Sequence, residues 1–161
     1  MHIWTLDKWK KYIVDTNEEH KEGIRLIIDK NVNYEVRRSV KDFVRWLRKE
    51  YFFPSRVNIY VKEAYRITAM DGEQVVGTFF RPYNYNIESH IRIAAGDYIE
   101  MLEKWGKESA LTAILITIAH ELTHYFQWVN NLSLTKIGEE RQATRYARII
   151  IDEYAETRDN P

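Results

Sequence analysis

The sequence predicts an α+β domain with N-terminal helices, then a small and mainly antiparallel sheet of three or four strands, then two long helices. Three observations predict it. Apolar residues recur at helical spacing over residues 33–51 and again through the C-terminal third, whereas β-branched and aromatic alternation fills residues 56–96. The length, 161 residues, fits one domain around one core. The domain therefore spans residues 1–161, divided into a helical part (1–54), a sheet (55–96) and the final helices (97–161).

Within the first part, Val36, Val40, Phe43, Val44, Leu47 and Tyr51 share one helical face, and Arg37, Arg38, Lys41, Arg45, Arg48 and Lys49 fall mostly elsewhere. This is an amphipathic helix that ends before Pro54. Upstream, residues 5–14 and 18–28 read as shorter helices, the second weakened by Gly23. Strands are expected over 57–61, 66–69, 74–80 and 90–93, with Asp71-Gly72 as the turn between the middle two. Asp97 then caps a helix that reaches Glu103 and breaks at Gly106. A long apolar helix follows over 108–128, and a last one over 138–154.

Composition narrows the function. Hydrophobic residues make up 45% of the chain and aromatics 14%, more buriable surface than a disordered chain carries. Lys and Arg balance Asp and Glu, so net charge gives no long-range attraction to nucleic acid or anionic membrane. The basic residues of 33–51 are interrupted by Glu35, Asp42 and Glu50, and no nucleic-acid partner is expected. There is no cysteine, which excludes disulfides, thiolate metal sites and a cysteine nucleophile. Any metal must be held by His and carboxylates. No signal-peptide pattern or membrane-length apolar run is seen, and the expected location is the cytoplasm.

The segment that carries chemistry is His120-Glu121-Leu122-Thr123-His124, an H-E-x-x-H pattern. Two histidines four apart on a helix project from one face, one turn above the other, so both imidazoles can reach one metal ion. Glu121 projects beside them, where it can act as general base on the metal's water. A shuffled chain of this composition would contain the pattern in roughly 1–2 of 100 trials, so context has to support it. The preceding residues, Ala110 to Ala119, are almost wholly apolar and imply a buried helix. Ionisable groups on such a helix are costly unless paired or metal-bound.

A catalytic zinc site usually takes three protein ligands. No histidine follows His124, and Gln127 and Asn130 stand where the extended H-E-x-x-H-x-x-G-x-x-H pattern needs Gly and His. Carboxylates remain. Glu140 is preferred because its helical face continues through Ala143, Thr144, Ala147 and Ile151, small or apolar residues that permit close approach to the motif helix. Glu139 and His90 are the alternatives.

Residues 119–125, Ala-His-Glu-Leu-Thr-His-Tyr, followed by Glu140-Arg-Gln-Ala-Thr-Arg-Tyr-Ala147, resemble the ImmA/IrrE-type metallopeptidases and the compact gluzincins called minigluzincins. The resemblance covers about residues 110–151 and departs at Thr123, where the ImmA-type motif usually has Gly. It implies a zincin-like fold, one Zn2+ held by His120, His124 and Glu140, and a peptide or protein as substrate. It also implies that the last strand before the motif helix is a sheet edge lining the cleft, which makes Arg92, Ile93 and Ala94 the substrate contacts. Tyr125 and Tyr146, with His90 and Arg92 beside them, are the candidates for stabilising an oxyanion. Thr144 stands where related gluzincins often place a carboxylate that orients a ligand. The function expected is a zinc-dependent peptidase of a specific intracellular protein; the alternative is a zinc-binding interaction module with little activity.

Overall fold

The computed structural model describes residues 1–13 and 20–159 and has the α+β composition expected. Strands β1 (Ile24–Ile28) and β2 (Val57–Lys62) flank helix α1 (Tyr34–Glu50); β3 (Ile67–Thr68) and β4 (Gln74–Val75) form a small hairpin. Then come β5 (Gly77–Phe80), β6 (Ser89–Ala94), α2 (Tyr98–Trp105), α3 (Lys107–Val129) and α4 (Lys136–Asp159).

The main sheet has the order β1-β2-β6-β5. β1, β2 and β6 run parallel and only β5 is antiparallel, so the expected antiparallel character is wrong for most of the sheet. The reason is connectivity. α1 carries the chain back from the end of β1 to the start of β2, and such a crossover makes parallel neighbours. The helix expected over 18–28 is also corrected, because Ile24-Arg-Leu-Ile-Ile28 pairs residue for residue with β2. A five-residue apolar run fits either period, and the neighbouring strand decides. Residues 18 and 19 of that expected helix lie outside the described residues. The helix expected over 5–14 is two 3-10 turns instead, Ile3–Thr5 and Lys8–Lys11, and residue 14 likewise lies outside the described residues.

The 74–80 run divides between two sheets. Gln74 and Val75 pair with the hairpin, Gly77–Phe80 pairs with β6, and the Val76 carbonyl between them accepts from the Ala94 amide. The Asp71-Gly72 turn lies where the sequence places it, with Gly72 at φ 88, a conformation that suits glycine.

α1 begins on Asn33, whose side chain accepts from the Glu35 amide, and buries Val36, Val40, Phe43, Val44 and Leu47 completely. Each such side chain stabilises the fold by roughly 1.5–3 kcal/mol. Two of its basic residues tie it to the sheet: Arg37 and Arg48 donate to the carbonyls of Asp29 and Ile24 at the two ends of β1, while Arg45 pairs with Asp42 on the exposed face. Asp97 precedes α2 but its carboxylate pairs with Arg66 rather than capping the helix.

α3 starts after Gly106 (φ 88) and packs between the sheet and α4. It ends where Asn131 turns left-handed at φ 51 and the Leu132 amide closes on the Gln127 carbonyl. The Thr135 hydroxyl accepts from the Gly138 amide and starts α4, which sets Glu139 and Glu140 at its beginning.

The N-terminal turns strap the helices together. The Trp4 ring lies against Phe126, Tyr51 and Phe53, and its indole N–H donates to the Thr123 hydroxyl. The Tyr146 hydroxyl donates to the Met1 carbonyl, and the Trp9 amide donates to Asn130. Trp4→Ala is expected to cost about 3–5 kcal/mol, as for other buried aromatics, while Trp4→Phe should cost less. Urea unfolding followed by circular dichroism measures both.

Candidate metal centre

His120, Glu121 and His124 lie on the half of α3 that faces a cleft of about 700 Å3. Opposite stand β5 and the β3–β4 hairpin, and the start of α4 closes one end. One ligand atom from each of the three side chains lies within 4.8 Å of the others, a group that could hold a metal ion. Helical spacing alone produces this, because residues 120 and 124 are one turn apart.

Glu140 enters from α4. Its two carboxylate oxygens reach His120 Nε2 at 3.1 Å and His124 Nε2 at 3.0 Å. Glu139, the alternative to it, is turned away: its carboxylate meets both terminal nitrogens of Arg81, at 3.1 and 3.3 Å, beyond the end of β5. His90 stands apart from the cluster, stacked on Phe80 and edge-on to Tyr60.

The orientation of His124 follows from its neighbour. The Gln127 amide nitrogen donates to the Glu139 carbonyl and to Gln142 Oε1, so its oxygen faces His124 Nδ1 at 2.8 Å and must accept. Nδ1 therefore carries the proton, and Nε2 of the neutral ring presents a lone pair to Glu140. Two lone pairs 3.0 Å apart repel unless a cation, either a proton or a metal ion, is shared between them. Two imidazole nitrogens and a carboxylate are donors that could hold a metal ion, and a fixed tautomer on one imidazole favours binding further.

Glu121 is 7% exposed and makes no hydrogen bond or ion pair among the described residues. Burial, and then the nearby Glu140 charge, push its carboxyl from 4.5 up to about 8. Burial and the adjacent His124 lower the pKa of His120, while Glu140 opposes that shift. β5 comes close here: a Cβ on Gly77 would lie 2.6 Å from the Thr117 methyl and 3.3 Å from Glu121 Cγ. Only glycine lets the strand approach the motif helix this closely.

The expected substrate and oxyanion residues fall elsewhere. β6 lies between β2 and β5, so Arg92, Ile93 and Ala94 are not on an edge. Ile93 and Ala94 are buried, and the Arg92 guanidinium donates to the Thr68 carbonyl. The free edge beside the cleft belongs to β5, one strand earlier in the chain. Tyr125 is completely buried, donating to the Ser55 carbonyl and accepting from the Ser55 amide. The Tyr146 hydroxyl is held by the N-terminal strap, and neither tyrosine lines the cleft. Thr144 is exposed and orients no ligand; Gln127 does so, and its i+3 spacing from His124 is the sequence signal that could have found it.

No protein-family model, curated protein or solved structure matches the chain. Among the described residues no helix is long and apolar enough to cross a membrane.

The buried acid makes stability depend on pH. A carboxyl whose pKa is raised in the fold stabilises it below the unfolded value and loses that contribution as pH rises through the folded one. For Glu121 the loss runs from pH 4.5 to about 8. His120, with a lowered pKa, acts in the opposite sense and only below its ordinary 6.5. In chelator-treated protein the melting temperature should therefore fall between pH 6.5 and 8, and Glu121→Gln should flatten that slope. Separately, Gln127→Leu should weaken metal binding about 10- to 100-fold in competition with a chromophoric chelator.

Proposed function

We propose that the chain is a zinc-dependent metallopeptidase of the gluzincin type with a zincin-like fold. In this reading His120, His124 and Glu140 hold one Zn2+ and Glu121 is the general base. The observation that carries it is a buried Glu121 without a partner among the described residues, lining a cleft beside two imidazoles that converge on one carboxylate.

Zinc, when bound, supplies Lewis acidity to a scissile carbonyl and to a water molecule. Glu121 takes the proton from the attacking water on its carboxylate and passes it to the departing amine nitrogen. Its burial makes it a stronger base than an exposed glutamate and excludes competing water. Gln127 keeps His124 in one tautomer, and Arg81 keeps Glu139 from competing for the ligand position. An extended peptide can add to the free edge of β5 by backbone hydrogen bonds, which sets its carbonyls in the cleft beside Glu121.

Metal analysis of the purified protein should find near-stoichiometric zinc, lost in His120→Ala and in Glu140→Ala. Zinc that survives removal of Glu140 would mean that another residue is the third ligand. Glu121→Gln should keep its zinc and lower hydrolysis of an unbiased peptide pool by at least about 10²-fold. Should the zinc-loaded wild type bind peptides and cleave none, the chain is an interaction module instead.

A further inference from the structure

The cleft is acidic at one end and balanced in charge at the other. At one end the β3–β4 hairpin presents Asp71 and Glu73 on the cleft wall. The hairpin is held in place: the Asp71 carboxylate accepts from the Glu73 amide at 3.0 Å, Gln74 donates to the Thr68 hydroxyl, and Arg92 donates to the Thr68 carbonyl. Both carboxylates are exposed, and neither has an ion-pair partner among the described residues. At the other end, beyond the metal centre, stand Arg81 and Lys136. Arg81 neutralises Glu139 there, and Lys136 has no ion-pair partner among the described residues.

Between the two ends lie the buried Glu121, which has no partner among the described residues, and the free edge of β5. That edge has a direction. β5 runs from Gly77 beside the hairpin to Phe80 beside Arg81. Antiparallel pairing is the more stable per residue, so an added peptide runs the other way, with its C-terminal half at the hairpin.

We propose that Asp71 and Glu73 make the cleft selective for peptides carrying Lys or Arg on the C-terminal side of the bond at the metal centre. No such carboxylate pair faces the N-terminal side, where Arg81 is already neutralised by Glu139 and Lys136 opposes the same side chains. The selectivity is electrostatic and lies in exposed pairs, so it weakens with salt. It rests on the peptidase reading, and the test separates the two.

Three pools of blocked, fluorescein-labelled octapeptides have uncharged residues at the randomised central positions. They carry two lysines near the C-terminus, two lysines near the N-terminus, or two glutamates near the C-terminus. Binding to zinc-loaded Glu121→Gln protein is read by fluorescence anisotropy, and hydrolysis by the wild type is read in parallel. The C-terminal-lysine pool should bind about three- to tenfold more tightly than either other pool, the range that two exposed ion pairs supply. That preference should disappear when Asp71→Asn and Glu73→Gln are added. The amide oxygen introduced by Asp71→Asn can still accept from the Glu73 amide position, and zinc content with melting temperature checks the fold.

Equal binding of the three pools, no binding of any, or a preference that survives the double substitution would overturn the proposal. Hydrolysis of all three pools at one rate with equal binding sinks the selectivity alone. A lysine preference in binding with no hydrolysis sinks the peptidase reading alone.

Discussion

Residues 121–130 of α3 and its C-cap are buried without a break, and most of them carry a polar group. A buried donor or acceptor left unmatched costs about 1–3 kcal/mol, so each must find a partner on another element or on its own helix. Trp4 serves Thr123, Gln127 and Glu140 serve His124, the Ser55 backbone serves Tyr125, the Pro82 carbonyl serves the Trp128 indole, and the Trp9 amide serves Asn130. The elements around α3 are thus fixed by the polar groups of one helical segment as much as by apolar contact. Glu121 is the exception. It is the one polar side chain of this run without a partner among the described residues, and it lines the cleft.

The same network joins the two sides of the cleft. Arg81, just past the end of β5, holds the Glu139 side chain, the Glu139 carbonyl accepts from Gln127, and Gln127 fixes the tautomer of His124. A shift of the edge strand would be felt at the ring that faces Glu140. Gly77 brings the strand against α3 beside Glu121, so neither side of the cleft is free to move alone.

How much of this is legible in the sequence depends on sequence separation. Residues 33–51 are legible as a helix because one face repeats over four turns and Asn33 caps it, and the structure places α1 within a residue of each expected end. The long C-terminal helices are legible for the same reason. β1 is not, since five residues at either period look alike and its partner lies 33 residues away. Strand order is equally hidden: four strands in sequence give no sign that β6 enters between β2 and β5. In the site, the convergence of His120 and His124 is a local consequence of helix geometry. Gln127 is local too, at i+3, and within reach of the same reasoning. Trp4 and Arg81 act across 119 and 58 residues and leave no periodic trace.

Thr123 combines the two kinds of information. Its place within the motif suggests a role near the metal, and a small residue there would matter if the helix packed backbone to backbone on that side. The structure turns Thr123 towards the N-terminal strap instead, where its hydroxyl donates to the Ala119 carbonyl and accepts from Trp4. That position is therefore set by what lies behind the helix and not by the chemistry in front of it. A side chain on the buried back face answers to its own neighbours, whereas His120, Glu121 and His124 answer to the cleft. Residues two positions apart on a helix point about 200° apart, so one short motif serves both faces without conflict.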